Sequence, residues 1–258
     1  MFESVIVLLL VLWFSTPVLA ADTLVPRLEV QQGQGEQQVA LTLDLCMGQT
    51  DRRIFDMLVA GKIPATLFVT RRWLVRNSAA VVQIRAHPEL FEIGNHGAEH
   101  VPALDNAGRV YGLKTSGSLY NICREAEDGA AAIREAGLAR QYMGWYRGAA
   151  ALYSPRALAI LEGQGLRIAG FSLNADMGAS LPAAVVARRM GMAHNGDVII
   201  AHMNQPGRSS GAGVVSGIAA LKQKGFRFIR LSDGVAPVQP VTRSPRRCAT
   251  FLKEQPHL

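Results

Sequence analysis

The residues best equipped for chemistry are two histidines four positions apart, His96 and His100, in the stretch Phe91-Glu92-Ile93-Gly94-Asn95-His96-Gly97-Ala98-Glu99-His100. An apolar run breaks at a glycine there and then presents two imidazoles, the commonest protein ligands for zinc and related ions. From a turn, or from the first turn of a helix, both could reach one ion if a carboxylate or a third nitrogen arrived from elsewhere in the chain. A pair of surface histidines in a polar loop explains the spacing equally well, so the rest of the chain has to decide.

The five residues His96 to His100 also spell H-x-x-E-H, an inverted zinc-protease signature with Glu99 as general base. That motif needs a helix with both histidines and the glutamate on one face. Gly94, Asn95 and Gly97 crowd the start and Pro102 closes the end, which argues for a loop or a frayed turn and leaves Glu99 as a solvated residue.

Around this stretch, short β-branched or apolar runs alternate with longer helix-like segments. Strands are expected over Val39–Asp44, Ala65–Thr70, Phe91–Gly94, Met143–Arg147, Arg167–Leu173, Asp197–Ala201 and Arg227–Leu231. Helices are expected near Arg52–Ala60, Ala79–Ala86, Tyr120–Ala136, Pro155–Gln164, Pro182–Met190 and Val214–Lys224. Such alternation implies an α/β fold with a mostly parallel sheet, either open or closed into a barrel, whose chemistry sits at the carboxyl ends of the strands. Asp44 ends the first expected strand, His96 follows the third, Arg147 closes the fourth, Asp176 follows the fifth and His202 follows the sixth. Each could be a cap or loop residue by itself, but their recurrence at the same end of five strands points to one shared site.

With 258 residues, 49% of them hydrophobic, the chain can bury a full core. The expected organisation is a signal peptide over 1–20, a linker over 21–36, a single catalytic domain over 37–235 and a tail over 236–258. The leader reading rests on the apolar run Val5 to Phe14 and the small residues of Val18-Leu19-Ala20, with cleavage after Ala20 and export to the periplasm or beyond. Its n-region carries Glu3 and no basic residue, and an uncleaved anchor is the alternative, although the core is shorter than the ~20 apolar residues a span needs. The formal charge of +7 suits an anionic or cell-wall surface. It does not indicate nucleic acid, because the basic residues are scattered and the one tight cluster, Arg243 to Arg247, lies in the Pro-rich tail. Three cysteines are too few for a disulfide scaffold and lack the close spacing of a zinc site. Spacing does not choose a pair among them. Cys46 lies beside the proposed site, and the expected bridge is Cys123 with Cys248.

In order and spacing these pieces resemble the polysaccharide deacetylase family, carbohydrate esterase family 4, over roughly 37–233. Val39-Ala40-Leu41-Thr42-Leu43-Asp44 is similar to the first motif, and Lys62 to Thr70 to the segment after it. Glu92 through His100 is similar to the metal-binding second motif. Trp145-Tyr146-Arg147 resembles the third, Asp176 the fourth and Asp197 to His202 the fifth, and Gly225 to Ser232 resembles the closing strand. The resemblance implies a distorted parallel (β/α) barrel of about seven strands. It also implies a divalent metal, usually Zn2+, that activates water against an acetamide or acetate ester of a polysaccharide or related cell-envelope sugar. By the same resemblance His96 and His100 would bind metal, Asp44 would be the general base, His202 the acid, and Asp176 with Arg147 would orient and tune the base.

Three positions depart from the family pattern. Leu45 stands where a second, metal-binding aspartate is usual, Gly97 replaces a serine or threonine, and Gly148-Ala149-Ala150 replaces a proline and an aromatic after Arg147. With Leu45 unable to bind an ion, Asp51 is the nearest candidate for the missing ligand, although it could equally be the cap of the following helix. Asp44 itself could bind the metal, or water or another residue could complete the site. The expected function is therefore an exported metal-dependent deacetylase. The alternatives are a carbohydrate-binding barrel that lost its metal and, less well supported, the zinc protease.

Overall fold

The structure, a computed structural model, describes residues 23–235 and residue 248; the expected leader and nearly all of the tail lie outside the described residues. In chain order the strands are β1 (Gln38–Leu45), β2 (Ala65–Val69), β3 (Phe91–Asn95), β4 (Arg109–Val110), β5 (Leu113–Lys114), β6 (Tyr142–Tyr146), β7 (Arg167–Ile168), β8 (Leu173–Asn174), β9 (Val198–His202) and β10 (Arg227–Ile229). The helices are α1 (Arg52–Ala60), α2 (Arg71–Arg76), α3 (Ser78–Ala86), α4 (Leu119–Glu135), α5 (Pro155–Gly163), α6 (Ala183–Met190), α7 (Ser210–Gln223) and α8 (Leu231–Gly234). β4 and β5 form a separate antiparallel hairpin.

The main sheet runs β7-β6-β3-β2-β1-β9-β8, all parallel, with β10 and β2 sharing one side of β1. It is a curled single-domain α/β half-barrel. β1 is its spine and is buried along its whole length, as a strand covered on both faces must be. Alternation divides β1 cleanly. Leu41, Leu43 and Leu45 join the large core cluster with Ile54, Phe55 and Leu58 of α1, whereas Thr42 and Asp44 turn to the other face. Leu45 is thus a core residue.

The fifth expected strand, Arg167–Leu173, is in fact two short strands at opposite edges of the sheet: β7 pairs with β6, and β8 with β9. Residues 169–172 cross between the edges, and other groups tie this seam. The guanidinium of Arg147 donates from Nε to the Ala169 carbonyl at 3.2 Å and from Nη2 to the Gly170 carbonyl at 3.0 Å. The segment from 24 onward also crosses this seam, and a Cβ on Gly170 would sit 2.1 Å from the Pro26 carbonyl oxygen, so a side chain there would meet backbone. The described part of the expected linker is therefore fastened to the body, through Leu24 to Tyr153 and Val30 to Gly196 as well. The seventh strand stops earlier than expected, because Leu231 begins α8.

α4 begins at the cap Ser118, whose hydroxyl accepts from the Asn121 N–H, and carries Cys123 on its buried face. Cys123 is disulfide-bonded to Cys248, as expected, and Cys46 is a buried free thiol. The bridge spans 125 residues of sequence, a long loop to remove from the unfolded ensemble. Replacing both cysteines with serine is expected to lower unfolding stability by ~2–4 kcal/mol, read from denaturant melts with and without reductant.

Candidate active site

Five elements deliver polar side chains to the carboxyl end of the sheet. Asp44 lies at the end of β1 and is buried, and its Oδ1 accepts from Arg147 Nη1 at 2.9 Å. Arg147 follows β6, is fully buried, and also donates to Thr42 Oγ1 at 2.9 Å. With the two seam carbonyls, one guanidinium therefore fixes the base candidate and holds the segment that crosses the seam. Burial opposes the charge on Asp44, but the positive charges of Arg147, His96 and His202 and the Arg147 hydrogen bond outweigh it, so its carboxyl is held below its ordinary pKa.

His96 comes directly after β3. Its Nδ1–H donates to the Arg147 carbonyl at 2.5 Å, which turns Nε2 toward the site, where it offers a lone pair when the ring is neutral. That Nε2 lies 3.4 Å from Cys46 Sγ and 3.7 Å from Asp44 Oδ2. His100 closes the loop with a positive φ of 65° and packs edge-on to His96 with ring centroids 4.9 Å apart. The loop is not helical and Glu99 pairs outward with Arg71, so the inverted-protease geometry does not form.

Between the two histidines sits Gly97, where the resemblance would put a serine or threonine. Its φ is +83°, and an added Cβ would lie 2.4 Å from Glu125 Oε1. That same Glu125 oxygen accepts from the N–H groups of Glu99, at 2.8 Å, and Val101, at 3.2 Å. Gly97 thus lets a buried carboxylate of α4 hold the loop.

Asp176 and His202 form the second half of the site. The Asp176 carboxylate faces Nδ1 of His202 at 2.9 Å and accepts the His202 backbone N–H at 2.7 Å. Burial disfavours a charged His202, but the Asp176 charge and hydrogen bond, together with Cys46, raise its pKa well above the ordinary imidazole value. Asp176 thus belongs to His202, not to the Asp44–Arg147 pair.

Asp51 does not join the site. It is the N-cap of α1, accepting the Arg53 N–H at 3.1 Å and the Arg53 side chain at 2.8 Å and 2.5 Å. A carboxylate already saturated by a guanidinium and a helix terminus has little left for an ion. Asp51→Ala is expected to cost ~1–3 kcal/mol of stability while leaving metal content intact, read from melts and elemental analysis.

The residue that sequence reasoning missed is Cys46. Among the described residues, Cys46, His96 and His100 are the group that could hold a metal ion, with ligand atoms all within 4.8 Å of one another. The donor set fits such an ion: one thiol, one imidazole whose free nitrogen is fixed by a carbonyl behind it, and a second imidazole whose buried Nδ1 has no hydrogen-bond partner. Burial would raise the Cys46 pKa, but the His96 charge and hydrogen bonds with His100, His202 and His96 bring it well below the ordinary thiol value. The signal was in the sequence, since two residues along a strand is one full period and Cys46 continues the face of Thr42 and Asp44.

A family model described as Polysaccharide deacetylase matches residues 31–169. No curated protein matches. Among solved structures, peptidoglycan deacetylase PdaC from Bacillus subtilis is 17% identical, with 86% of this chain and 94% of that one covered and a TM-score of 0.62. The Bc1960 peptidoglycan N-acetylglucosamine deacetylase is 19% identical, with coverage of 84% and 94% and a TM-score of 0.61. BA3943 from Bacillus anthracis, a CE4 family pseudoenzyme, is 18% identical, with coverage of 80% and 68% and a TM-score of 0.60. The match spans more than half of the sequence and the half-barrel recurs in these structures: the chain belongs to the polysaccharide deacetylase family.

Proposed function

We propose that the protein is an exported, metal-dependent deacetylase that removes acetyl groups from an N-acetylated polysaccharide or related cell-envelope sugar. The observation that carries this reading is the convergence of the Cys46, His96 and His100 donors beside two carboxylate-linked groups, Asp44–Arg147 and Asp176–His202. A divalent ion held by the three donors, with Zn2+ favoured by the thiol, would polarise the acetyl oxygen and make water more acidic.

The remaining work falls to the chain's own groups. Asp44, held ionised by Arg147, takes a proton from water as its oxygen attacks the acetyl carbon. His202, kept charged by Asp176, gives a proton to the sugar nitrogen as the carbon–nitrogen bond breaks, so that acetate and a free amine leave. Export is supported by the Cys123–Cys248 disulfide, which persists in oxidising compartments. No helix among the described residues is long and apolar enough to cross a membrane.

The test is acetate release across chitin-like, peptidoglycan and exopolysaccharide substrates, paired with elemental analysis and chelation. Acetate release that is lost on chelation and restored by zinc is expected. The non-catalytic reading rests on Leu45 in place of a ligand and on loss of the metal, and it would prevail if the purified protein held no metal and released acetate from no substrate.

A further inference from the structure

Two cavities flank the loop between His96 and His100 and share Arg71, yet they differ in charge. The smaller, about 290 Å³, sets Arg71, Lys114 and Arg124 against Glu99, Glu125 and Asp128. The larger, about 570 Å³, is lined by Met47, Gly48, Arg71, Arg72, Val75 and Arg76, with three arginines and no carboxylate among them. Glu99, which lines the smaller cavity, is shared by Arg71 and by Arg72, the latter at 3.9 Å. Arg76 is exposed and makes no ion pair among the described residues. The groove therefore carries unmatched positive charge.

This groove is attached directly to the site. The Arg71 and Arg72 N–H groups donate to the carbonyls of Gly97 and Ala98, at 3.2 Å and 3.3 Å, between the two histidines. Its other wall, Met47 and Gly48, continues from Cys46 and is held by the Asn204 side chain, which donates to the Met47 carbonyl. Val75 is 79% exposed and places an apolar surface among the guanidinium groups. A sugar ring bearing a carboxylate matches that combination, with its apolar face on Val75 and Met47 and its carboxylate on a planar guanidinium fork.

We infer that the Arg71, Arg72 and Arg76 groove binds a carboxylate-bearing sugar next to the residue being deacetylated, so that the substrate is an acidic glycan. This rests on the deacetylase reading, and a binding measurement keeps the two separable. Asp44→Asn protein is titrated with an N-acetylated oligosaccharide in which every second sugar is a uronic acid, and with a neutral N-acetylated oligosaccharide of equal length. At low salt the acidic ligand is expected to bind about tenfold more tightly, and the preference to shrink as salt screens the groove. Adding Arg72→Gln and Arg76→Gln, on exposed positions whose folding is checked by thermal melts, is expected to bring the two affinities within about twofold. Equal affinity in the parent protein, or a preference that survives both substitutions, would overturn the groove. Arginine-dependent binding without acetate release from either glycan by the wild type would instead sink the deacetylase reading and leave the groove standing.

Discussion

Cys46→Ala is expected to lose its bound metal and, with it, essentially all acetate release. In the proposed site the thiol would be the third donor beside His96 and His100, and two imidazoles alone make a poor site. Elemental analysis of the purified variant reads this directly, and His96→Ala and His100→Ala should behave alike. Cys46→Asp is the informative companion, because it supplies a shorter, harder donor from the same strand face and should recover part of the metal. A thiolate also gives a cobalt-substituted protein a sulfur-to-metal absorption band. That band should be present in the wild type and absent in Cys46→Asp. Full metal content in Cys46→Ala would remove the thiol from the site and reopen the question that Leu45 posed. Leu45→Asp, by contrast, should not restore anything, since position 45 faces the apolar cluster and a carboxylate there would be buried without a partner.

Asp44→Asn is expected to keep its metal and lose ~10²–10⁴-fold in kcat/KM, the range for removing a general base. His202→Ala should likewise retain metal and lose turnover, because its partner is Asp176. The pH dependence separates the two roles. Asp44 has a depressed pKa, so the ionised base is lost only when pH falls below the usual carboxylate range. His202 has a raised pKa, so the charged acid is present at neutral pH and lost as pH rises through that elevated value. A broad activity plateau with an alkaline limb that disappears in His202→Ala is the expected profile. The same linkage makes Asp44 contribute stability above its unfolded pKa, ~3.9, and lose it as pH falls toward its lower folded value. Acid melts of wild type against Asp44→Asn check that sign. Loss of metal from Asp44→Asn would instead identify Asp44 as a ligand.

Much of the architecture was legible because it depends on local periodicity. Six of the seven expected strands lie where β1, β2, β3, β6, β9 and β10 form, and the polar residues after them do converge. α2 was missed because six residues offer too short a period to read, and its start depends on Thr70, whose hydroxyl accepts the Trp73 N–H.

What the sequence determined by itself was the parallel alternation and the set Asp44, His96, His100, Arg147, Asp176 and His202. These follow from apolar runs and from polar residues at their ends, which neighbouring residues encode. Tertiary structure decided which of those groups serve which. It gave Asp176 to His202 rather than to Asp44, left Asp51 capping α1, split Arg167–Leu173 across the barrel seam, and brought Cys46 within 3.4 Å of His96 from 50 residues away. The physical reason is that a metal site is defined by distances between side chains on different strands. Those distances depend on register and on the curl of the sheet, whereas alternation along one strand decides only the face on which each side chain stands.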